Sequence, residues 1–149
     1  MDASVQHPGA GRKIALGPIR VTVKEDGSHT RGTLAMAEFT IPPHAPSPPA
    51  HVHRAHEEGF YVLEGEIEFT VGGETARLGL GGWVLVPIGT PHTFANPGSA
   101  PARFLNTFTP DRYLGYFDEM ATLIDTSGPP TPAQARDIMA RYDTEVVAG

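Results

Sequence analysis

Four side chains near the middle of this sequence could bind one metal ion. His51 and His53 are separated by one residue, Glu58 follows five residues after His53, and His92 lies further along the chain. On an extended strand, residues two apart point to the same face, so both imidazoles could reach the same ion. A turn after His53 would bring the Glu58 carboxylate back toward that point from the next strand, and His92 would complete the set.

This set of donors suits one divalent transition metal. Imidazole and carboxylate ligands together bind Fe, Mn, Ni, Co, Cu or Zn, and the ligand types alone do not select among these metals. Such a set leaves one or two coordination positions for water or substrate, which is typical of a catalytic metal site. A lone histidine on a strand is usually a hydrogen-bonded structural residue. Four potential ligands in two linked patterns indicate metal binding instead.

Short strands must position these side chains. Alternating apolar and polar residues, bounded by glycine and proline, predict strands at residues 13–16, 19–24, 33–41, 58–63, 66–71, 74–80, 83–86, 92–96 and 103–107. The proline-rich segment 42–49 can form neither helix nor central strand, so it predicts an extended connector that leads to His51. Many short strands without a helical period before residue 110 indicate an all-β fold, either a closed barrel or a double-sheet jelly roll.

The strand that begins at Glu58 also predicts part of a substrate pocket. Phe60 and Val62 share the face of Glu58, and Phe94 shares the face of His92, because side chains alternate along a strand. Since Glu58 and His92 must face the ion, we expect Phe60, Val62 and Phe94 to line an apolar pocket beside it. An apolar cavity strengthens the Lewis acidity of a metal and shields reactive intermediates from water.

Helical spacing replaces the strand pattern after residue 110. Apolar residues then recur at the spacing of an amphipathic helix: Tyr113, Leu114, Phe117, Met120, Ala121 and Ile124. Thr131 predicts an N-cap with Pro132 at the first position of a second helix, at about residues 132–142. The apolar face of the first helix must be buried, either on the wall of the β-structure or across its mouth. We therefore expect a flexible N-terminal segment at 1–12, a β-barrel at 13–109 and a helical extension at 110–149 that packs on the barrel.

Composition narrows the class of protein. A chain of 149 residues is long enough for one domain with its own core, and the absence of cysteine excludes disulfides and thiolate ligands. No apolar run reaches membrane-spanning length and residues 1–12 lack the apolar core of a signal peptide, so a cytoplasmic protein without a membrane partner is expected. A net charge of −6 without a basic stripe argues against nucleic acid as a partner.

Two sequence motifs link the candidate ligands. They read His51-x-His53-x4-Glu58-x6-Gly65 and Gly81-x5-Pro87-x-Gly89-x2-His92-x3-Asn96. Together they resemble the two signature motifs of the cupin family. The second motif matches at every fixed position, whereas the first has Ala45 where the family usually has a glycine that serves a backbone bend.

The resemblance implies a fold, a cofactor and an oligomeric state. The fold would be a cupin-type double-stranded β-helix (jelly-roll) barrel, here followed by C-terminal α-helices. Its interior would hold one divalent metal on His51, His53, Glu58 and His92. Homodimers are usual for the family, so a homodimer is expected.

The run from Glu58 to Gly65 and the helical tail look most like quercetin-dioxygenase-type cupins. In that group the metal carries a deprotonated enol or phenol while O2 attacks, and the ligating glutamate doubles as general base. The resemblance therefore implies a small flavonol-like substrate, O2 as second substrate, and Glu58 as both metal ligand and catalytic base. Two alternatives stay open: a non-redox isomerase or cyclase, and a non-catalytic protein that binds or senses a small ligand.

Four nearby polar residues do not occupy ligand positions in these motifs. His44 and His56 are interpreted as exposed loop histidines, rather than as hydrogen-bond donors at the cavity mouth. Arg54 and Glu57 are interpreted as surface or subunit-contact residues.

Overall fold

The computed structural model describes residues 2–147, which form two β-sheets and two helices. The elements in chain order are β1 (Arg12–Leu16), β2 (Ile19–Glu25), β3 (Ala35–Ile41), β4 (His51–His53), β5 (Glu57–Glu64), β6 (Ile67–Val71), β7 (Glu74–Leu78), β8 (Trp83–Val86), β9 (His92–Ala95), β10 (Ala102–Thr109), α1 (Leu114–Ser127), α2 (Pro132–Arg141) and β11 (Thr144–Val146). All strand pairs are antiparallel.

The strands form a double-sheet jelly roll. One sheet has the order β1-β2-β3-β10-β5-β8 and the other has the order β11-β4-β9-β6-β7. This arrangement confirms the predicted all-β jelly-roll fold with C-terminal helices, but backbone hydrogen bonds among the described residues do not close the sheets into one barrel. Three of the short connections between the sheets, residues 42–50, 87–91 and 96–101, contain prolines. Proline lacks the N–H that a continuous ladder needs, so these segments separate the two sheets.

The sequence predicts every strand except β11. The short extended segment at His51–His53 is present as β4, and the nine other predicted strands are present with shifts of a few residues at their ends. β11 has only three residues and pairs with β4, from which it is separated by most of the chain. A strand this short has no recognisable period of its own, and its partner is not visible in the sequence.

The core between the sheets is centred on Phe104, whose side chain is fully buried on β10. Its ring centroid lies 5.2 Å from Phe39, 5.3 Å from Phe60 and 5.2 Å from Phe94. Such aromatic packing stabilises the fold, because the rings bury a large apolar area and meet in favourable geometries. Phe104 therefore supports Phe60 and Phe94, which come from opposite sheets.

The two helices pack against each other, and α1 also packs against β1 and α2 against β11. Leu114, Phe117 and Met120 are the buried residues of α1, as the helical spacing predicts, and the Phe117 ring packs 5.3 Å from Phe39. α2 begins at the predicted N-cap: Gln134 N donates to Thr131 Oγ1, and Thr131 N donates to Gln134 Oε1, which is a complete capping box. Neither helix, nor any other within residues 2–147, has the length and hydrophobicity of a membrane span.

We expect substitution of Phe104 by alanine to destabilise the protein strongly. Removing a fully buried phenylalanine leaves a cavity that the surrounding rings cannot fill, at a cost of about 3–5 kcal/mol in the free energy of unfolding. Chemical denaturation measures this change, with Leu80→Ala as the control, because the Leu80 side chain is 77% exposed. Similar losses in the two variants would contradict a core centred on Phe104.

Candidate metal centre

The four predicted ligands converge at one point between the sheets. His51 and His53 come from β4 and His92 from the neighbouring β9, whereas Glu58 comes from β5 in the other sheet. One ligand atom from each residue lies within 4.8 Å of the ligand atoms of the other three. The structure thus brings together side chains from three strands and from two separate parts of the sequence, residues 51–58 and His92.

Backbone carbonyls orient two of the imidazoles. His51 Nδ1 donates to Pro49 O and His92 Nδ1 donates to Thr90 O, each over 3.0 Å. A histidine that donates from Nδ1 leaves the Nε2 lone pair free to bind a cation. With Nδ1 held by a carbonyl, Nε2 is the atom that each of these imidazoles could offer to a metal.

A hydroxyl on β11 orients the third imidazole. His53 Nδ1 lies 2.8 Å from Thr144 Oγ1, and the Thr144 hydroxyl donates its only proton to Tyr142 O over 3.0 Å. Thr144 Oγ1 must then accept from His53 Nδ1, which leaves Nε2 as the atom that His53 could offer to a metal. Partners of this kind fix the orientation and the tautomer of metal-binding histidines.

Glu58 carries a buried negative charge at the centre of the group. Its Oε2 lies 2.9 Å from His92 Nε2 and 3.1 Å from His53 Nε2. Burial alone would raise the pKa of Glu58, but His53 and His92 outweigh that effect and hold the pKa well below its usual range. Burial likewise lowers the pKa of His92, but the hydrogen bond and charge of Glu58 outweigh it and raise the pKa. Glu58 is thus an ionised carboxylate among imidazoles.

The geometry fits a bound cation better than a hydrogen-bonded cluster. His53 Nε2 is buried without a hydrogen-bond partner, although it faces Glu58 Oε2. A lone pair directed at a carboxylate oxygen is repelled unless a proton or a cation lies between them. Burial, together with the charges of His92 and His53, lowers the pKa of His51 to about 4, so this imidazole stays neutral near pH 7. Three imidazole nitrogens and one carboxylate suit a divalent transition metal.

A cavity of about 440 Å³ opens beside the ligands. His51, Glu58 and His92 reach its surface, and most of its lining is apolar or aromatic. Phe60 and Phe94 line it, as the strand alternation predicts. Val62 does not: it is fully buried opposite Phe104 on β10, because β5 runs from the cavity into the core.

The helices form the other side of this cavity. Tyr113, Tyr116, Phe117 and Met120, at the start of α1 and along it, line the cavity together with residues of α2. The sequence predicts two possible positions for the apolar face of the first helix, on the wall of the β-structure or across its mouth. The helix combines features of both, because it lines the cavity and Phe117 also packs against Phe39 of the six-stranded sheet.

The prediction that His56 is an exposed loop histidine is wrong. Its side chain is fully buried, and its ring centroid lies 4.1 Å from that of His53 and 5.1 Å from that of Tyr113. Burial and then the charge of His53 lower the pKa of His56 to about 4. Strand alternation does not identify this residue, because His56 lies in the connection between β4 and β5 rather than on a strand. His44 is exposed, as predicted.

Two residues at the site are missed by sequence reasoning alone. No sequence pattern predicts a role for Thr144, because its contact with the site depends on the pairing of β11 with β4. Tyr113 belongs to the apolar stripe of the first helix, but its ring lies 4.5 Å from His53. Burial and the neighbouring Tyr116 raise the pKa of Tyr113 well above its usual value, so its hydroxyl stays protonated.

Arg54 and Glu57 point away from the ligands. Arg54 is exposed and its Nη2 lies 3.2 Å from Glu145 Oε2 on β11. Glu57 is half-buried and accepts a hydrogen bond from Thr109 over 3.2 Å.

We expect Thr144→Val to weaken metal binding without unfolding the protein. Valine has the shape of threonine but cannot accept the Nδ1 proton of His53, so the imidazole loses its fixed orientation. Loss of such a partner lowers metal affinity by about 10- to 100-fold. Chelator competition measures the affinity, and Thr75→Val is the matched control, because Thr75 is exposed on β7. Equal affinities in the two variants would contradict the role assigned to Thr144.

Comparison with known proteins places this site in a family. The family model for the cupin domain matches residues 37–108, which include all four candidate ligands. Quercetin 2,3-dioxygenase from Bacillus subtilis is 34% identical over 86 residues, which are 58% of this chain and 25% of that protein. Polyketide synthase CurC from Streptomyces cyaneus is 36% identical over 77 residues, half of each chain.

The fold agrees with these matches. A structure of the polyketide cyclase RemF from Streptomyces resistomycificus superposes with a TM-score of 0.61 at 25% identity, over 74% of this chain and 80% of that chain. The chain spans only a quarter to a half of the two relatives named above, so what is shared is the cupin domain itself. The jelly-roll topology, the matched domain and the position of the ligands within it lead to one conclusion: the chain belongs to the cupin superfamily.

Proposed function

We propose that this protein is a metal-dependent dioxygenase that acts on a small enol or phenol of flavonol-like type. Its metal would be one divalent transition ion held by His51, His53, Glu58 and His92. The observation that carries the proposal is that this ligand set opens directly onto an aromatic-lined cavity. The similarity to a quercetin 2,3-dioxygenase supports the choice of reaction.

The cavity suits a flat aromatic substrate. Its volume of about 440 Å³ lies in the range of small-molecule sites. Aromatic rings line it from the sheets (Phe60 and Phe94) and from the helical segment (Tyr113, Tyr116 and Phe117). Rings of this kind bind an aromatic substrate by stacking and edge contacts. The same side chains exclude water from the reacting atoms.

Glu58 is the group that would take the substrate proton. When bound, a divalent metal acts as a Lewis acid that lowers the pKa of a hydroxyl coordinated to it. Glu58 is ionised and lines the cavity, so it can accept that proton from an enol or phenol. Its Oε1 accepts no hydrogen bond from any residue in the range 2–147 and is the free acceptor.

A non-redox cyclase is the second candidate. The similarity to CurC and to the polyketide cyclase RemF favours it, because both matches cover half or more of the other protein. A cyclase would use the same ligands and the same aromatic cavity, and the metal would serve only as a Lewis acid. It would need no O2 and would be active with redox-inert Zn.

Oxygen uptake tests the proposed reaction. Metal-free protein is loaded separately with Fe, Mn, Co, Ni, Cu and Zn, and O2 consumption is followed with flavonols and related diketones. We expect consumption with at least one redox-active metal and none with Zn. Absence of uptake with every metal would contradict the dioxygenase, and anaerobic turnover that includes Zn would favour the cyclase.

Substitution of the proposed base gives a second prediction. We expect Glu58→Gln to lower the turnover number by about 10²-fold or more, because glutamine cannot accept the substrate proton. Rates are compared at full metal occupancy, established by elemental analysis, so that weaker metal binding does not account for the loss. Glu57→Gln is the control, since Glu57 neighbours Glu58 in sequence but contacts Thr109 instead. A fully loaded Glu58→Gln variant with wild-type turnover would remove Glu58 from the mechanism.

A further inference from the structure

His56 is a fourth imidazole at the centre, and the proposed ligand set of three histidines and Glu58 does not use it. Its side chain is fully buried, and neither Nδ1 nor Nε2 has a hydrogen-bond partner among residues 2–147. A neutral imidazole carries one N–H group, and buried N–H groups are nearly always paired because an unpaired one is unfavourable. An acceptor for His56 is therefore expected in the functional state.

The carboxylate of Glu58 offers that acceptor. Its two oxygens face different neighbours: Oε2 lies 2.9 Å from His92 Nε2 and 3.1 Å from His53 Nε2, whereas Oε1 lies 4.0 Å from His56 Nε2. Oε2 thus points to the centre of the ligand group, and Oε1 points toward the unpaired imidazole. A distance of 4.0 Å is too long for a hydrogen bond, so the bond would require a small shift of the carboxylate or the imidazole.

His56 reaches Glu58 from the side away from the substrate. Glu58 lines the cavity, whereas His56 lies behind it, packed between His53 and Tyr113. This position excludes direct contact between His56 and a molecule in the cavity, so any effect on the reaction must pass through Glu58 or His53.

We propose that His56 is a positioning residue that donates a hydrogen bond from Nε2 to Glu58 Oε1 while Oε2 binds the metal. The inference rests on the proposed metal centre. The bond would hold Glu58 as a ligand through one oxygen and satisfy the buried imidazole. It would also leave a second lone pair on Oε1 for the substrate proton.

The tautomer of His56 tests this assignment in the unmodified protein. Long-range ¹H–¹⁵N NMR spectra of the histidine rings are recorded before and after addition of Zn²⁺, which is diamagnetic. We expect His56 to carry its proton on Nε2 in the Zn²⁺-loaded protein, whereas His51, His53 and His92 carry theirs on Nδ1. A proton on Nδ1 of His56 would overturn the proposal. If Zn²⁺ shifts none of the other three histidines, the metal centre fails first, and the inference fails with it.

Two variants separate positioning from mere packing. His56→Gln keeps an N–H donor near the position of Nε2, whereas His56→Met has a similar size and no donor. We expect Met to weaken Co²⁺ affinity, measured by chelator competition, by about 10- to 100-fold and to change the visible spectrum of bound Co²⁺, and Gln to restore most of both. His44→Met is the control, because His44 is exposed.

Two outcomes of the variant experiment would overturn the proposal. Wild-type Co²⁺ affinity and spectrum in His56→Met would show that His56 only packs. Equal losses in the Gln and Met variants would show that the imidazole itself is required, as a direct ligand would be. Thermal unfolding of the metal-free variants identifies any loss of fold, and in that case the NMR experiment on the unmodified protein decides.

Discussion

The negative charge of Glu58, buried between the sheets, is the constraint on which the centre depends. A carboxylate is costly to remove from water unless cations or hydrogen-bond donors surround it. Here the side chain is almost fully buried and its neighbours are imidazoles, whose Nε2 atoms lie 2.9 Å (His92) and 3.1 Å (His53) away. Without a metal, a proton on His92 can balance this charge, and a divalent cation would balance it better because several nitrogen lone pairs converge on the same point.

This constraint explains why the ligands come from both sheets. β4 and β9 are neighbours, and His51 pairs directly with His92 in their register. β5 brings Glu58 from the opposite sheet, so the charge lies in the space between the two layers. A shift of one residue in any of these strands would turn its ligand to the other face. The pairing of β11 with β4 adds a further restraint, since it places Thr144 against His53.

The surroundings of the centre are markedly different on its two sides. On one side the carbonyls of Pro49 and Thr90 and the hydroxyl of Thr144 fix the imidazoles, and His56 is packed behind Glu58. On the other side aromatic residues of the sheets and helices enclose an apolar cavity. Polar groups thus orient the candidate ligands from behind, and the apolar cavity lies on their other side. That division suits a metal that activates an organic substrate.

The candidate ligands and most of the framework can be predicted from the sequence alone. The spacing of His51, His53 and Glu58 and the alternation along the strands are local properties, so they predicted the candidate ligands, the inward direction of Phe60 and Phe94, and the capped start of α2 at Thr131. Three other features follow from tertiary packing: the burial of His56, the contact of Thr144 with His53, and the position of Val62 in the core rather than in the cavity. Each depends on where a distant segment packs. No local period encodes that packing, because it results from the arrangement of both sheets and the C-terminal elements as a whole.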